Sequence, residues 1–237
     1  MIPWSVDNDV IVSPEWLGPL IGCAEETGAC LVSPLFCQGR PFHEFVHSAG
    51  GQCQIVDRRE GPRIERHIQD AMQRQGRPSG QARPYLGRSE TELVEFHCVL
   101  ARTDTFKRLG PLDEEILNTR EHIDLSLAVR EAGGTVYFEP TSIVTYLHDE
   151  RLHWSDEWLG LSLKRFQEKW NVVEDEYFTS RYKRFGGRRK KMIVQPLVRF
   201  FTLGREIKPL ERTLFRLEKR LNRYLTKRYA KKYYSGR

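Results

Sequence analysis

The feature that most limits what this chain can fold into is the order of short apolar runs and their terminators in its first 32 residues. Ile2 to Val6 is an apolar stretch that ends in Asp7-Asn8-Asp9, and Val10-Ile11-Val12 comes next, before Ser13-Pro14-Glu15. Ser ahead of Pro ahead of an acid reads as a helix start, with Ser as the cap and Pro at the first helical position, where its missing N–H is not needed. The helix is predicted to run to about Thr27, because Gly28 is a natural terminator and Cys30-Leu31-Val32 resumes as a strand. Pro19 lies inside it and is expected to kink or split it. Strand, carboxylate turn, helix and strand in succession form an α/β rhythm.

The rhythm returns further on. Val94 to Leu100 reads as a strand, and Thr103 to Leu109 as a short helix closed by Gly110. Asn118-Thr119-Arg120-Glu121 reads as a capping box opening a helix to Ala132, with Leu125, Ala128, Val129 and Ala132 on one face. Gly133-Gly134 ends it. Thr135 to Phe138 and Ile143 to Leu147 are expected strands, the second delivering His148, and Trp154 to Trp170 is expected to be helical. From Gln38 to Glu92 the pattern weakens. Gly, Gln, Arg and Ser dominate there, so residues 38–92 read as a variable insertion near the site, with a helical piece near Ile64 to Met72.

A chain of 237 residues that is 39% hydrophobic can bury one sizeable core, and the composition is neither disordered nor fibrous. Its five cysteines, Cys23, Cys30, Cys37, Cys53 and Cys98, contain no CxxC pair. Neither a disulfide framework nor a zinc ribbon is indicated, and a reducing cytosol fits. No apolar run approaches the roughly 18 to 20 residues that cross a bilayer, and the first residues lack a signal layout. A cytoplasmic protein, soluble or peripheral on a membrane, is expected.

The charge is uneven. The chain as a whole carries +6, but residues from Arg181 onward hold +17 and residues 1–180 hold −11. An acidic body over 1–180 and a basic tail over 181–237 are therefore expected as separate parts. In the tail, Ile207, Leu210, Leu214, Leu217, Leu221 and Tyr224 keep alternating spacings of three and four, an a/d stripe. Such a stripe serves as a coiled-coil seam for self-association, as an interfacial helix on an anionic membrane surface, or as a helix docked on its own domain. Nothing in it matches a nucleic-acid recognition motif, so only nonspecific charge attraction is expected there.

Two carboxylates one residue apart at a strand end can aim at one point and hold a hard divalent cation. Alone, such a triplet is a common solvated turn. Its weight comes from the motifs downstream of it and their order: Leu109-Gly110-Pro111-Leu112-Asp113-Glu114, then Glu121-His122-Ile123-Asp124-Leu125, then Ala132-Gly133-Gly134 and Glu139-Pro140, then Val144 to His148. Taken together, from the Asp7-Asn8-Asp9 motif onward, these resemble the second half of family 2 glycosyltransferases of GT-A type.

The resemblance implies an α/β, Rossmann-like parallel sheet lacking that fold's first three, N-terminal strands, so that a central strand loses its neighbours. It also implies an inverting transfer of sugar from a nucleotide-diphosphate donor to an acceptor hydroxyl, on a glycan or lipid-linked acceptor of the cell envelope. Asp7, Asn8 and Asp9 would bind the donor, and Asp7, Asp9 and His148 would hold Mn2+ or Mg2+. A base must take the hydroxyl proton. Where the family often has Glu-Asp, this chain has Glu121-His122. His122 is the first candidate, with Glu121 and Asp124, three apart on one helix face, as alternatives. Trp154 and Trp158 are candidates for stacking on sugars or for core packing. The rival reading is a truncated, non-catalytic remnant that binds partners or scaffolds through its basic tail.

Overall fold

The structure is a computed structural model that describes residues 4–6, 9–39, 42–116, 119–147, 156–173 and 190–234. The chain divides into two compact units. One comprises Met1–Glu114, Arg120–His148 and Asn171–Val173, the other Glu115–Thr119, Asp149–Trp170 and Glu174–Arg237.

The first unit is built on strands β1 (Trp4–Val6), β2 (Val10–Val12), β3 (Leu31–Gln38), β4 (Phe45–Ser48), β7 (Ser89–Glu90), β8 (Cys98–Ala101) and β9 (Val136–Tyr146). They form one seven-stranded sheet in the order β1-β8-β3-β9-β2, with β4 pairing β3 and β7 pairing β9. The hairpin strands β5 (Gly51–Glu60) and β6 (Arg63–Met72) form a second, two-stranded sheet. Residues Leu31 to Cys37 are all buried, as a strand covered on both faces requires.

Successive residues of β3 point to opposite faces and meet different helices. Val32 packs with Leu20, Cys23 and Ala24 of helix α1 (Leu17–Thr27). Leu31 packs with Leu125 and Val129 of a helix further along the chain, spanning Glu121–Glu131. Pro34 is tolerated in this central strand because the register with β9 shifts immediately after it, where a ladder hydrogen bond is already interrupted.

Three expectations about this layer need correction. The sheet is mixed, not parallel: β3 and β9 are its parallel pair, and every other pairing is antiparallel. The central strand β3 has neighbours on both edges, so it does not stand exposed. The stretch read as two strands at its end is the single strand β9, whose residues 140–142 bulge between the Pro34↔Glu139 and Leu35↔Ile143 pairs. In addition, Val94 to Phe96 lie outside any strand, and β8 begins only at Cys98.

Helix α1 ends where Gly28 takes φ +73 and donates its N–H to Ala24 O at 3.1 Å. It starts at Leu17, after a turn in which Glu15 has φ +57. Pro19 neither kinks nor splits it. As the third helical residue it sits in the first turn, whose N–H groups have no intrahelical acceptor. After the short helix α2 (Ser79–Ala82), α3 (Thr103–Leu109) matches its expected bounds and closes at Gly110. Helix α4 (Glu121–Glu131) opens after Arg120, which holds φ +71 and makes no side-chain cap; Asn118, the cap of the expected capping box, lies outside the described residues. Gly134 is required behind it: a Cβ there would lie 2.7 Å from Cys30 Sγ and 3.0 Å from Val129 O.

The segment read as a variable insertion, with a helix near 64–72, is instead the β5/β6 hairpin, and residues 64–72 lie in β6. Its ladder runs from Gly51↔Met72 to Glu60↔Arg63 across a two-residue turn, where Gly61 supplies the positive φ (+63) that such turns demand. Polar pairs tie it to α4. Arg120, 2% exposed, places Nη1 2.9 Å from Asp70 Oδ1, while Arg130 donates to Cys53 O and to Glu92 Oε1 at 3.0 Å. All five cysteines are buried, and none forms a disulfide. Burial pushes the Cys37 thiol up to about 11 and, with Asp70 nearby, the Cys53 thiol to about 12.

The second unit contains α5 (Asp156–Trp170), a π-helical turn over Lys190–Val194, α6 (Gln195–Phe201) and α7 (Lys208–Tyr234). Helix α5 packs on α7, burying Phe166, Trp170, Val194, Val198 and Glu211 within the unit. Lys190 Nζ lies 3.3 Å from Glu211. The stripe expected here divides. Leu210 and Leu214 are half-buried, whereas Leu217, Leu221 and Tyr224 are more than half exposed. No helix of the described residues is long and apolar enough to cross a membrane.

Candidate active site

Strand pairing decides which distant residues share the end of the sheet. Because β2 runs antiparallel to β9, its start lies beside the end of β9: Val10 pairs with Tyr146, and Leu147 donates its N–H to Asp9 O at 2.8 Å. Asp9 therefore sits across from the residue that precedes His148. On the far side, Val6 pairs with Cys98, so the residue before Asp7 lies beside the residue after His97. Asp7, Asn8 and His148 themselves lie outside the described residues. Asp9 is described, and its Oδ1 is buried without a hydrogen-bond partner among those residues.

From Tyr146 the site continues inward through aromatic and titratable groups. The His97 ring stacks on Tyr146, with centroids 3.8 Å apart and planes at 17°, and meets Phe36 edge-on at 6.3 Å. Glu95, two residues before His97 and 5% exposed, turns Oε2 toward His97 Nε2 at 4.0 Å. Its other oxygen, Oε1, lies 4.0 Å from His122 Nε2 at the start of α4. Glu95 thus lies between His97, which stacks on Tyr146, and His122 at the start of α4.

The local backbone explains the aim of these groups. His47 is the extra residue of a bulge, for Phe36 pairs with Ser48 and Cys37 with Val46, and His47 lies between the two pairs. A bulge re-aims a side chain, and here the ring comes within 5.7 Å of Tyr146 and 6.1 Å of His97, centroid to centroid. At α4, Thr119 and Arg120 both hold positive φ, +70 and +71. That conformation is costly for non-glycine residues and persists where surroundings enforce it. The Arg120–Asp70 pair and the Asp124 N–H to Arg120 O bond of 2.7 Å do so here. They set the first turn of α4, which holds Glu121, His122 and Asp124, with Asp124 4% exposed.

The remaining histidines serve elsewhere. His43, at φ +64, takes no part in the ring group: its N–H donates to Thr145 Oγ1 at 2.8 Å and its Nδ1 lies 2.6 Å from the same oxygen. Burial and then Arg83 hold its pKa below the ordinary value. His67 lies on β6 with Nε2 3.7 Å from Glu65. Trp154 and His153 fall outside the described residues, and Trp158 lies in α5, in the second unit.

His47, Glu95 and His97 carry no role in the sequence reading. Glu95 and His97 flank Phe96 outside any strand, and His47 lies in the segment taken for an insertion. An i, i+2 acid and histidine immediately before a strand is the signal that could have found two of them.

No protein-family model matches the chain, and no curated protein matches it. Among solved structures, GalNAc-T7 with UDP, GalNAc and Mn2+ has a TM-score of 0.41 and 14% identity, over 76% of this chain and 39% of that one. UTP-bound UGPase from Acinetobacter baumannii has a TM-score of 0.28 and 14% identity, over 72% of this chain and 56% of that one. The chain spans less than two thirds of either.

Proposed function

We propose that this chain is a metal-dependent, inverting glycosyltransferase that moves a sugar from a nucleotide-diphosphate donor to an acceptor hydroxyl. The observation that carries the reading is the gathering at one sheet end of Asp9, Tyr146, His97, Glu95 and His122, from four separate stretches of sequence. Asp9, His122 and Tyr146 belong to three of the motifs on which the family resemblance rests.

The residues present fit a cation. The buried Oδ1 of Asp9 without a hydrogen-bond partner is an acceptor that a divalent ion satisfies. Asp7, Asp9 and His148 would hold Mn2+ or Mg2+, which when bound supplies positive charge against the departing diphosphate. His122 is assigned the base. The Glu95 carboxylate, with Oε1 4.0 Å from His122 Nε2, is placed to favour the imidazolium that forms when the ring takes the hydroxyl proton. The basic tail suits an acceptor held at an anionic surface, such as a lipid-linked or envelope glycan.

Thermal melting with Mn2+ and a panel of nucleoside diphosphates tests this reading. A ligand at a hundred times its Kd stabilises by about 2.7 kcal/mol, a rise of roughly 5 to 10 °C for a chain of this size. Asp9→Asn should abolish the rise. Sugar transfer by His122→Ala should fall roughly 10²- to 10⁴-fold. Activity within a few-fold of the parent would move the base to Glu121 or Asp124. No rise with any nucleoside diphosphate would remove the donor reading and leave the scaffold alternative.

A further inference from the structure

We infer that His47, Glu95 and His97 form a transition-metal site, of the kind that takes Zn2+ or Co2+, separate in its ligands from the Asp7, Asp9 and His148 set. The three offer two imidazole nitrogens and one carboxylate oxygen, all within 4.8 Å of one another. Two imidazoles and a carboxylate form a donor set characteristic of Zn2+ and of non-haem Fe2+. At metal–ligand distances of about 2.0 to 2.2 Å, donors on one ion lie roughly 3.3 Å apart in a tetrahedron, so small side-chain rotations close the observed 4.0 Å between Glu95 Oε2 and His97 Nε2.

Three further features agree. First, Glu95 divides its oxygens: Oε2 faces His97 and the ion position, while Oε1 faces His122 Nε2 at 4.0 Å. Ligating carboxylates are commonly oriented by neighbouring polar groups, and His122 is such a neighbour. Second, the site is enclosed without being sealed, for the Glu95 side chain is 7% exposed and that of His97 20%. Third, the bulge that turns His47 out of the β3/β4 ladder aims its ring at this group, and Tyr146 stacked on His97 fixes the second ring.

This inference does not depend on the nucleotide-sugar reading, and metal alone tests it. The full chain, stripped with chelator, is titrated with Co2+ in the absence of nucleotide. One equivalent should bind with the visible absorption of a nitrogen- and oxygen-ligated ion, and Zn2+ should displace it. His47→Ala and His97→Ala should each weaken Co2+ binding at least 100-fold, with His97→Gln as a milder variant should the alanine form not fold. Asp9→Asn should leave the Co2+ spectrum and affinity unchanged. Absence of a Co2+ band in the parent protein overturns the site outright. So does retention of full affinity by folded His47 and His97 variants, or loss of the band in Asp9→Asn alone, which would assign the ion to the aspartate motif instead.

Discussion

The β3–β9 pair and the β5/β6 hairpin are held by opposite means. Leu31 to Cys37 of β3 are buried without a break, and most of β9 is buried against them. The hairpin strands are equally regular and longer than β3, yet from Asp57 to Arg66 only Glu65 is not exposed. It is joined to α4 by Arg120 with Asp70 and by Arg130 with Glu92 and Cys53 O. Apolar burial is nondirectional and tolerates repacking, whereas a guanidinium contact depends on polar partners held at fixed positions. The apolar layer fixes the sheet, and the charged contacts fix where the helix carrying His122 begins.

The largest effect expected from breaking this contrast lies in the sheet. Leu35→Ala removes a fully buried side chain packed with Phe138 and Ile143, and should cost about 2 to 5 kcal/mol by denaturant unfolding. Arg120→Ala should cost somewhat less, about 2 to 3 kcal/mol, because Asp70, left behind, is about one third exposed and recovers some hydration. Its distinguishing mark is local. The first turn of α4 should lose hydrogen-exchange protection while β3 keeps it, and a uniform loss across both would show that the hairpin contacts are not local anchors.

The same contrast explains what was legible in the sequence. Strand β3, α1 up to Gly28 and α3 up to Gly110 announce themselves by apolar runs and terminators, and the structure has them close to their expected bounds. The hairpin gives no such signal. Ile64, Ile68 and Ala71 are spaced as on a helix face, and what keeps them in a strand is pairing with Arg59, Ile55 and Gln52, which no local pattern encodes. The start of α4 escapes a capping-box reading because its position depends on Arg120 reaching Asp70, far away in sequence. At the candidate site, Asp9 and His122 were singled out in the sequence reading. The imidazoles between them were not, since a bulge at His47 and a stack on Tyr146 exist only once the sheet has formed.

Glu139 carries both kinds of support at once. It is 2% exposed in β9, yet Oε1 accepts from Thr141 N and Oγ1 at 3.0 and 2.6 Å, and Oε2 from Arg88 Nε at 2.6 Å. Burial alone would raise its pKa, but these donors outweigh burial and hold it below the ordinary carboxylate value. A depressed folded pKa gives stability that is present above the unfolded value, about 4.3, and is lost as pH falls through the folded one. Glu139→Gln should therefore cost about 1 to 2 kcal/mol near pH 7, and the gap between parent and variant should close on acidification below pH 4. A gap independent of pH would show that the carboxylate charge is not what these contacts serve.

The smallest effect is expected at the hairpin tip, and its size is the sharpest check on the comparison. Ile64 is 71% exposed on β6, opposite Arg59. If the hairpin stands by its ladder and its charged anchors, the isoleucine contributes little burial, and Ile64→Thr, which keeps the β-branched shape suited to a strand, should change stability by less than about 0.5 kcal/mol. A loss several times larger would mean that Ile64 is covered in solution. The hairpin would then be an apolar contact surface, and its likeness to the buried β3–β9 pair would be greater than its polar sequence suggests.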